Sequence, residues 1–128
     1  MPTKKKNKSL SGEDKKLIEE IIRVDHAGEH GATQIYRGQL AIFKENTEFG
    51  KEIKEMADQE EIHKSTFDEY IVKENVKPTA LFPFWNLAGY ALGLGTALLG
   101  KKAAMACTVA VEEVIGQHYD EQAKELSK

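Results

Sequence analysis

Cysteine occurs once in these 128 residues, at Cys107, which excludes a disulfide framework and a cysteine-built zinc cluster. In its setting, "AAMACTVAVEE", it reads as a small core residue. Proline occurs three times, and neither Asn-Gly nor Asp-Gly occurs, which argues against a hairpin-rich β protein. Arginine is scarce, 2 residues against 16 lysines, and the net charge is −3, so nothing points to a nucleic-acid partner. No apolar run follows the basic start "MPTKKKNKS", so it does not read as a secretory signal, and it lacks the arginines of a mitochondrial presequence. Residues 1–10 read as a disordered basic tail, with a patch drawn to an anionic membrane surface as the alternative.

What the chain does have is helical periodicity, in a length that suits one compact domain. Ser11, three residues before Asp14, is a capping signal, and the pattern predicts a first helix over Ser11–Lys44. "ENTEFG" reads as a connection, and a second helix is expected over Lys51–Lys73, ending before Pro78. Pro78–Gly100, "PTALFPFWNLAGYALGLGTALLG", carries no charge and is long enough to cross a bilayer. Its Pro83, Asn86 and glycines speak against a lone span, and its aromatic cluster suits a water–lipid boundary. A helix lying in the interface, or lining an apolar pocket, accounts for the small residues; a buried core helix is the alternative. A final helix is expected over Lys101–Leu126. The fold class is all-α and bundle-like.

Three of these helices place acids where an apolar stripe should run. In "DHAGEHGA", Asp25, His26 and Glu29 share a face with Ile22 and Tyr36. In the second helix Ile53, Met56, Glu60, His63, Phe67 and Ile71 form one stripe, which Glu60 and His63 interrupt. In the last, Met105, Val109, Glu112, Ile115 or Gly116, and Tyr119 line up, whereas Glu113 points roughly 100° away. An unpaired buried carboxylate is strongly unfavourable, and the remedy is a partner or a metal. For antiparallel helices the levels of Glu29 and Glu60 agree within roughly 8 Å at about 1.5 Å per residue, compatible with one site. Each piece has a plainer reading: Glu60-x-x-His63 as a solvated pair, His26 and His30 as surface groups, Asp25 as a partner of Arg23 or a lysine. Together they favour a metal site, and oxygen-rich ligation with one imidazole suits iron or manganese better than zinc.

"RVDHAGEHGA", "DQEEIH", "FPFWNLAGYALGLGTALLGKKAAMACTVAVEE" and "QHY" resemble the demethoxyubiquinone hydroxylase family of ubiquinone biosynthesis, from about Ile21 to Tyr119. The resemblance implies a ferritin-like antiparallel bundle holding two iron ions, with O₂ as co-substrate. It implies hydroxylation of a polyprenylated methoxy-benzoquinol by a monooxygenase bound peripherally to the membrane through residues 78–100. By resemblance Glu29, Glu60, His63 and Glu112 are the metal ligands, and His118 and Tyr119 support them. Asp25 is a candidate acceptor for the free imidazole nitrogen of His63, and His26 is a further candidate support. Localisation is expected on the cytoplasmic face of a bacterial inner membrane, or else on the matrix side of the mitochondrial one. A ubiquinone-biosynthesis complex is an expected partner.

The chain departs from the pattern in one respect. Such sites use a glutamate from each of two helices and a Glu-x-x-His from each of two others, and here Glu60-x-x-His63 is the single copy. Residues 11–128 therefore read as a bundle domain incomplete at its C-terminal side. The chain is then a fragment, or is completed by a helix from another chain, or has lost activity. Weak or mononuclear iron binding and little turnover are expected, and a non-enzymatic lipid- or quinone-binding scaffold is the rival reading.

Overall fold

The computed structural model describes residues 11–127, so the tail expected at residues 1–10 lies outside the described residues. Four helices form: α1 (Gly12–Leu40), α2 (Glu48–Lys73), α3 (Phe82–Leu99) and α4 (Lys101–Leu126), with no strand among the described residues. The all-α expectation holds.

α1 begins where Ser11 Oγ accepts the Asp14 N–H at 3.0 Å, with Glu13 and Asp14 beside the positive end of the helix dipole. It ends at Leu40, short of the expected Lys44, and the next residues turn. α2 starts at Glu48, inside the stretch expected to be loop, because Thr47 Oγ1 caps the Gly50 N–H at 3.0 Å. Its end owes less to Pro78 than the sequence implies. Asn75 adopts φ 55°, the Asn75 N–H reaches Val72 O, and the Val76 N–H reaches Ile71 O, while Val76 itself is buried. That is a Schellman ending, with Asn in the left-handed position and an apolar residue after it.

α1 is the hub. His26 meets Asp68 on α2 and Arg37 meets Glu61, so the two helices run antiparallel. Tyr36 meets Glu112 on α4 and Asp25 meets Gln122, so α4 is also antiparallel to α1. α3 instead runs parallel to α1: Trp85 Nε1 donates to Ala27 O, Gly89 lies against Gly31, and Gly93 lies against Ile35. α2 and α4 therefore share a direction, and α3 is the helical return between them. The crossing of α1 and α3 is close enough that a β-carbon on Gly93 would strike the Ile35 carbonyl, so only glycine fits there. Gly100, at φ 119°, supplies the break that separates α3 from α4.

The core gathers Ala32, Tyr36, Phe49, Ile53, Ala57 and Ala104. Of α3 only Gly89, Gly93 and Ala97 are buried, whereas Phe84, Leu87, Leu98 and Leu99 face outward. Among the described residues α3 is thus covered on one side, and no helix among them is long and apolar enough to cross a membrane. The stripe expected on α4 is rotated: Met105 and Val109 are exposed, and Ala104 and Thr108 face in. The reason is a buried polar link. Gln39 Nε2 donates to Ala104 O at 3.1 Å, which brings the small side chains of α4 against α1. Cys107 is half-buried, and burial raises its thiol pKa.

Candidate metal centre

Glu29 on α1 and Glu60 on α2 are 1 % and 4 % exposed, so burial of these acids is a fact of the fold. His63, one turn after Glu60, brings Nδ1 to 3.5 Å from Glu60 Oε1 and 3.7 Å from Glu29 Oε1. It is the only basic side chain within ion-pair distance of either acid among the described residues. The candidate ligand atoms of these three residues all lie within 4.8 Å of one another. Glu112 sits at the exposed rim on α4, where Tyr36 Oη donates to its Oε2 at 2.6 Å. Its charge still reaches Glu60. The structure thus brings Glu29, Glu60 and His63 together, with Glu112 near Glu60 at the rim.

Two carboxylate oxygens here, Glu29 Oε1 and Glu60 Oε1, are buried without any hydrogen-bond partner. Leaving charged oxygens in that state costs several kcal/mol, about the penalty of an unpaired buried ion. The bare chain relieves it by protonation: burial first, then neighbouring Glu29 and Glu112, push the Glu60 carboxyl well above the usual carboxylate range. A divalent cation would relieve it more fully, because carboxylate oxygens with one imidazole are a hard-to-borderline donor set suited to iron or manganese. The donor set and its orphaned oxygens fit such an ion.

Supporting residues divide into those that reach the cluster and those that do not. Tyr119 Oη donates to Glu29 Oε2, and its ring stacks near Phe67 of α2. Tyr36 plays the same part toward Glu112, a role that sequence reasoning missed. Burial, together with the carboxylate each one faces, raises the pKa of both phenols, so they remain donors. Asp25 is buried, but its Oδ1 accepts from Gln122 Nε2 at 2.8 Å rather than from His63 or Arg23. The expected Asp25–His63 contact is therefore corrected, since α4 supplies a nearer donor; burial raises the Asp25 pKa against that hydrogen bond. His118 is exposed and shares a small recess of about 30 Å³ with Asp25, Glu29 and Tyr119. His26 turns away from the carboxylates, and its Nε2 meets Asp68 Oδ1 at 3.0 Å.

A larger cleft of about 350 Å³ opens beside the cluster, walled by Ile35, Trp85, Leu92, Val111, Val114 and Ile115, with Gly28 and Gly31 at its floor. No charged residue lines it. Gly28 and Ile115 also line the recess that holds Glu29, so the apolar cleft and the carboxylates are neighbours.

Fold and site together define a helical bundle that buries a cluster of potential metal-binding carboxylates between its helices, next to an uncharged cleft. The family described as "Ubiquinone biosynthesis protein COQ7" matches residues 16–128, and the chain belongs to that family. It is 55 % identical over 113 residues to the "NADPH-dependent 3-demethoxyubiquinone 3-hydroxylase, mitochondrial" of Dictyostelium discoideum, covering 88 % of this chain and 52 % of the relative. Identity to the Homo sapiens protein of the same name is 52 % over 118 residues, 92 % of this chain and 54 % of that one. A "3-demethoxyubiquinol 3-hydroxylase" of Rhodospirillum rubrum is 52 % identical over 106 residues, 83 % of this chain and 50 % of the relative. The chain spans about half the length of these curated relatives.

Proposed function

We propose that this chain carries part of the di-iron centre and the quinol cleft of a monooxygenase that hydroxylates a polyprenylated demethoxyubiquinol. The observation behind the reading is the pair of orphaned oxygens, Glu29 Oε1 and Glu60 Oε1, beside His63 and next to an uncharged cleft. Glu29, Glu60, His63 and Glu112 would hold iron, whose ferrous form supplies electrons to O₂ for hydroxylation of a ring carbon. Overall, one oxygen atom of O₂ enters the ring and the other leaves as water, at the cost of two electrons and two protons. Nicotinamide is the candidate electron source, in line with the names of the Dictyostelium and human relatives.

The side chains of this chain have definable tasks in that reading. Tyr36 and Tyr119 orient Glu112 and Glu29 through their hydroxyls. Trp85, Leu92, Val111 and Val114 exclude water and receive an aromatic ring. The outward leucines and aromatics of α3 are placed to rest on the lipid surface that holds a substrate with a long isoprenoid tail. Peripheral association with an inner membrane follows, bacterial or mitochondrial, the latter matching the mitochondrial names of the eukaryotic relatives.

Glu60-x-x-His63 is the single Glu-x-x-His of the chain, whereas a full di-iron site takes two. Four ligands favour at most one tightly held iron per chain, with little hydroxylation by this chain alone. Elemental analysis after anaerobic ferrous loading tests this: about one iron per chain more in the wild type than in Glu60→Ala is expected, and a difference near zero, or near two, would refute it. Rescue of a hydroxylase-deficient strain by this chain, and not by Glu60→Ala, would reject the rival reading of a non-enzymatic scaffold.

A further inference from the structure

His26 and His30 lie one turn apart on α1, and both direct Nε2 at the same oxygen of α2: Asp68 Oδ1, at 3.0 and 2.7 Å. Asp68 is two turns beyond Glu60, so this trio forms the next level of the α1–α2 seam, apart from the carboxylate cluster. The three ligand atoms lie within 4.8 Å of one another. Phe82, at the start of α3, stacks on His26 at a centroid distance of 5.0 Å and meets His30 edge-on at 4.8 Å, which fixes both rings. Burial is graded outward: the side chains of His26, His30 and Asp68 are 6 %, 16 % and 46 % exposed. An ion can therefore arrive from solvent and keep water on its open side.

We infer that His26, His30 and Asp68 form a second metal site, for a borderline divalent cation of the Zn²⁺ or Fe²⁺ kind. Two imidazole nitrogens and one carboxylate are the donor set such ions prefer. The spacing is right as well. Donors at about 2.0–2.1 Å from one ion, at angles between octahedral and tetrahedral, stand about 2.9–3.4 Å apart. The observed separations to Asp68 need only a few tenths of an ångström of outward movement, and the rings are already held. With both imidazoles neutral the trio carries the single negative charge of Asp68, which a dication complements, while Lys64, the positive group felt by His26, works against it. This site is independent of the iron reading, because none of its ligands belongs to the Glu29–Glu60–His63 cluster.

The test is a histidine-selective long-range ¹H–¹⁵N spectrum of the ¹⁵N-labelled full chain, titrated with Zn²⁺ alone. The expected result is that Nε2 of both His26 and His30 moves to the position of a metal-bound nitrogen, with the proton on Nδ1. The shift persists in Glu60→Gln, which damages the other cluster. Asp68→Asn is expected to weaken this Zn²⁺ event tenfold or more by calorimetry while leaving the His63 response in place. Nε2 signals that keep their N–H position at saturating Zn²⁺ would overturn the inference, as would equal affinity in Asp68→Asn, since the trio would then be a hydrogen-bonded clamp only. If the variant fails to fold, the wild-type spectrum decides.

Discussion

Replacing Glu60 by glutamine keeps the shape of the side chain and removes the charge that the interior resists. In the metal-free chain the folded state holds the Glu60 proton far above the ordinary value of 4.5, while the unfolded state releases it near that value. The folded state therefore binds more protons across the neutral range, and stability falls as pH rises above the unfolded pKa. Below about pH 4.5 the term vanishes. At pH 7, roughly two and a half units higher, it amounts to about 3 kcal/mol at about 1.4 kcal/mol per unit. Glu60→Gln removes it, so the metal-free variant is expected to melt about 10 °C above wild type at pH 7, at about 4 °C per kcal/mol for a domain of this size. The two curves converge toward pH 4.5. Circular-dichroism melts in a chelator between pH 4.5 and 8 measure the difference, and subtraction cancels the titrating groups that do not interact with Glu60. Saturating Mn²⁺, which favours the oxygen-rich cluster over the two-imidazole site, should reverse the order, raising wild type more than the variant. A variant less stable than wild type at pH 7 in chelator, or a difference independent of pH, would refute the reasoning.

Other consequences are as direct. Gly93→Val drives a side chain into the Ile35 carbonyl and is expected to cost about 3 kcal/mol or more in urea unfolding, within the upper range for overpacking. Tyr36→Phe should change stability by under about 1 kcal/mol, because water can replace the lost donor at exposed Glu112. The same variant should weaken Fe²⁺ or Co²⁺ binding about tenfold by calorimetry, the usual effect of removing a ligand's supporting hydrogen bond. Leu98→Asp with Leu99→Asp alters two side chains that are 68 % and 81 % exposed. Helix content should therefore stay constant in circular dichroism, while co-sedimentation with anionic vesicles is lost; unchanged sedimentation would reject α3 as the lipid-facing element.

The helices and the acids were legible in the sequence for the same reason: a 3.6-residue period makes a polar intruder on an apolar stripe conspicuous. Glu29 and Glu60 are buried as that period demands, and α4 occupies the expected residues. What the period does not encode is the partner across the gap. Gln122 taking Asp25, Tyr36 taking Glu112 and Asp68 taking His26 depend on how three helices are aligned. The Met105–Val109 stripe failed on the same ground: all neighbouring faces of α4 are similarly apolar, and the buried Gln39–Ala104 hydrogen bond chooses among them. The ending of α2 at Lys73 was read correctly but its cause was not, because Asn75 acts locally, ahead of the proline that seemed to govern it. Tyr36 did carry a signal, since it sits two turns from Glu29, whereas Asp68 lies about 80° round the helix from Glu60 and off its stripe.

The glycine crossing of α3 on α1 joins the element with the most outward grease to the helix that carries Glu29, over a stretch where the backbones nearly touch. A joint so short has no slack. Whatever plane α3 settles on, the carboxylates ride at a set height above it, and so does the mouth of the apolar cleft that both helices wall. Under the proposed function, a substrate ring held at that plane would meet the cluster at a height that the glycine crossing sets.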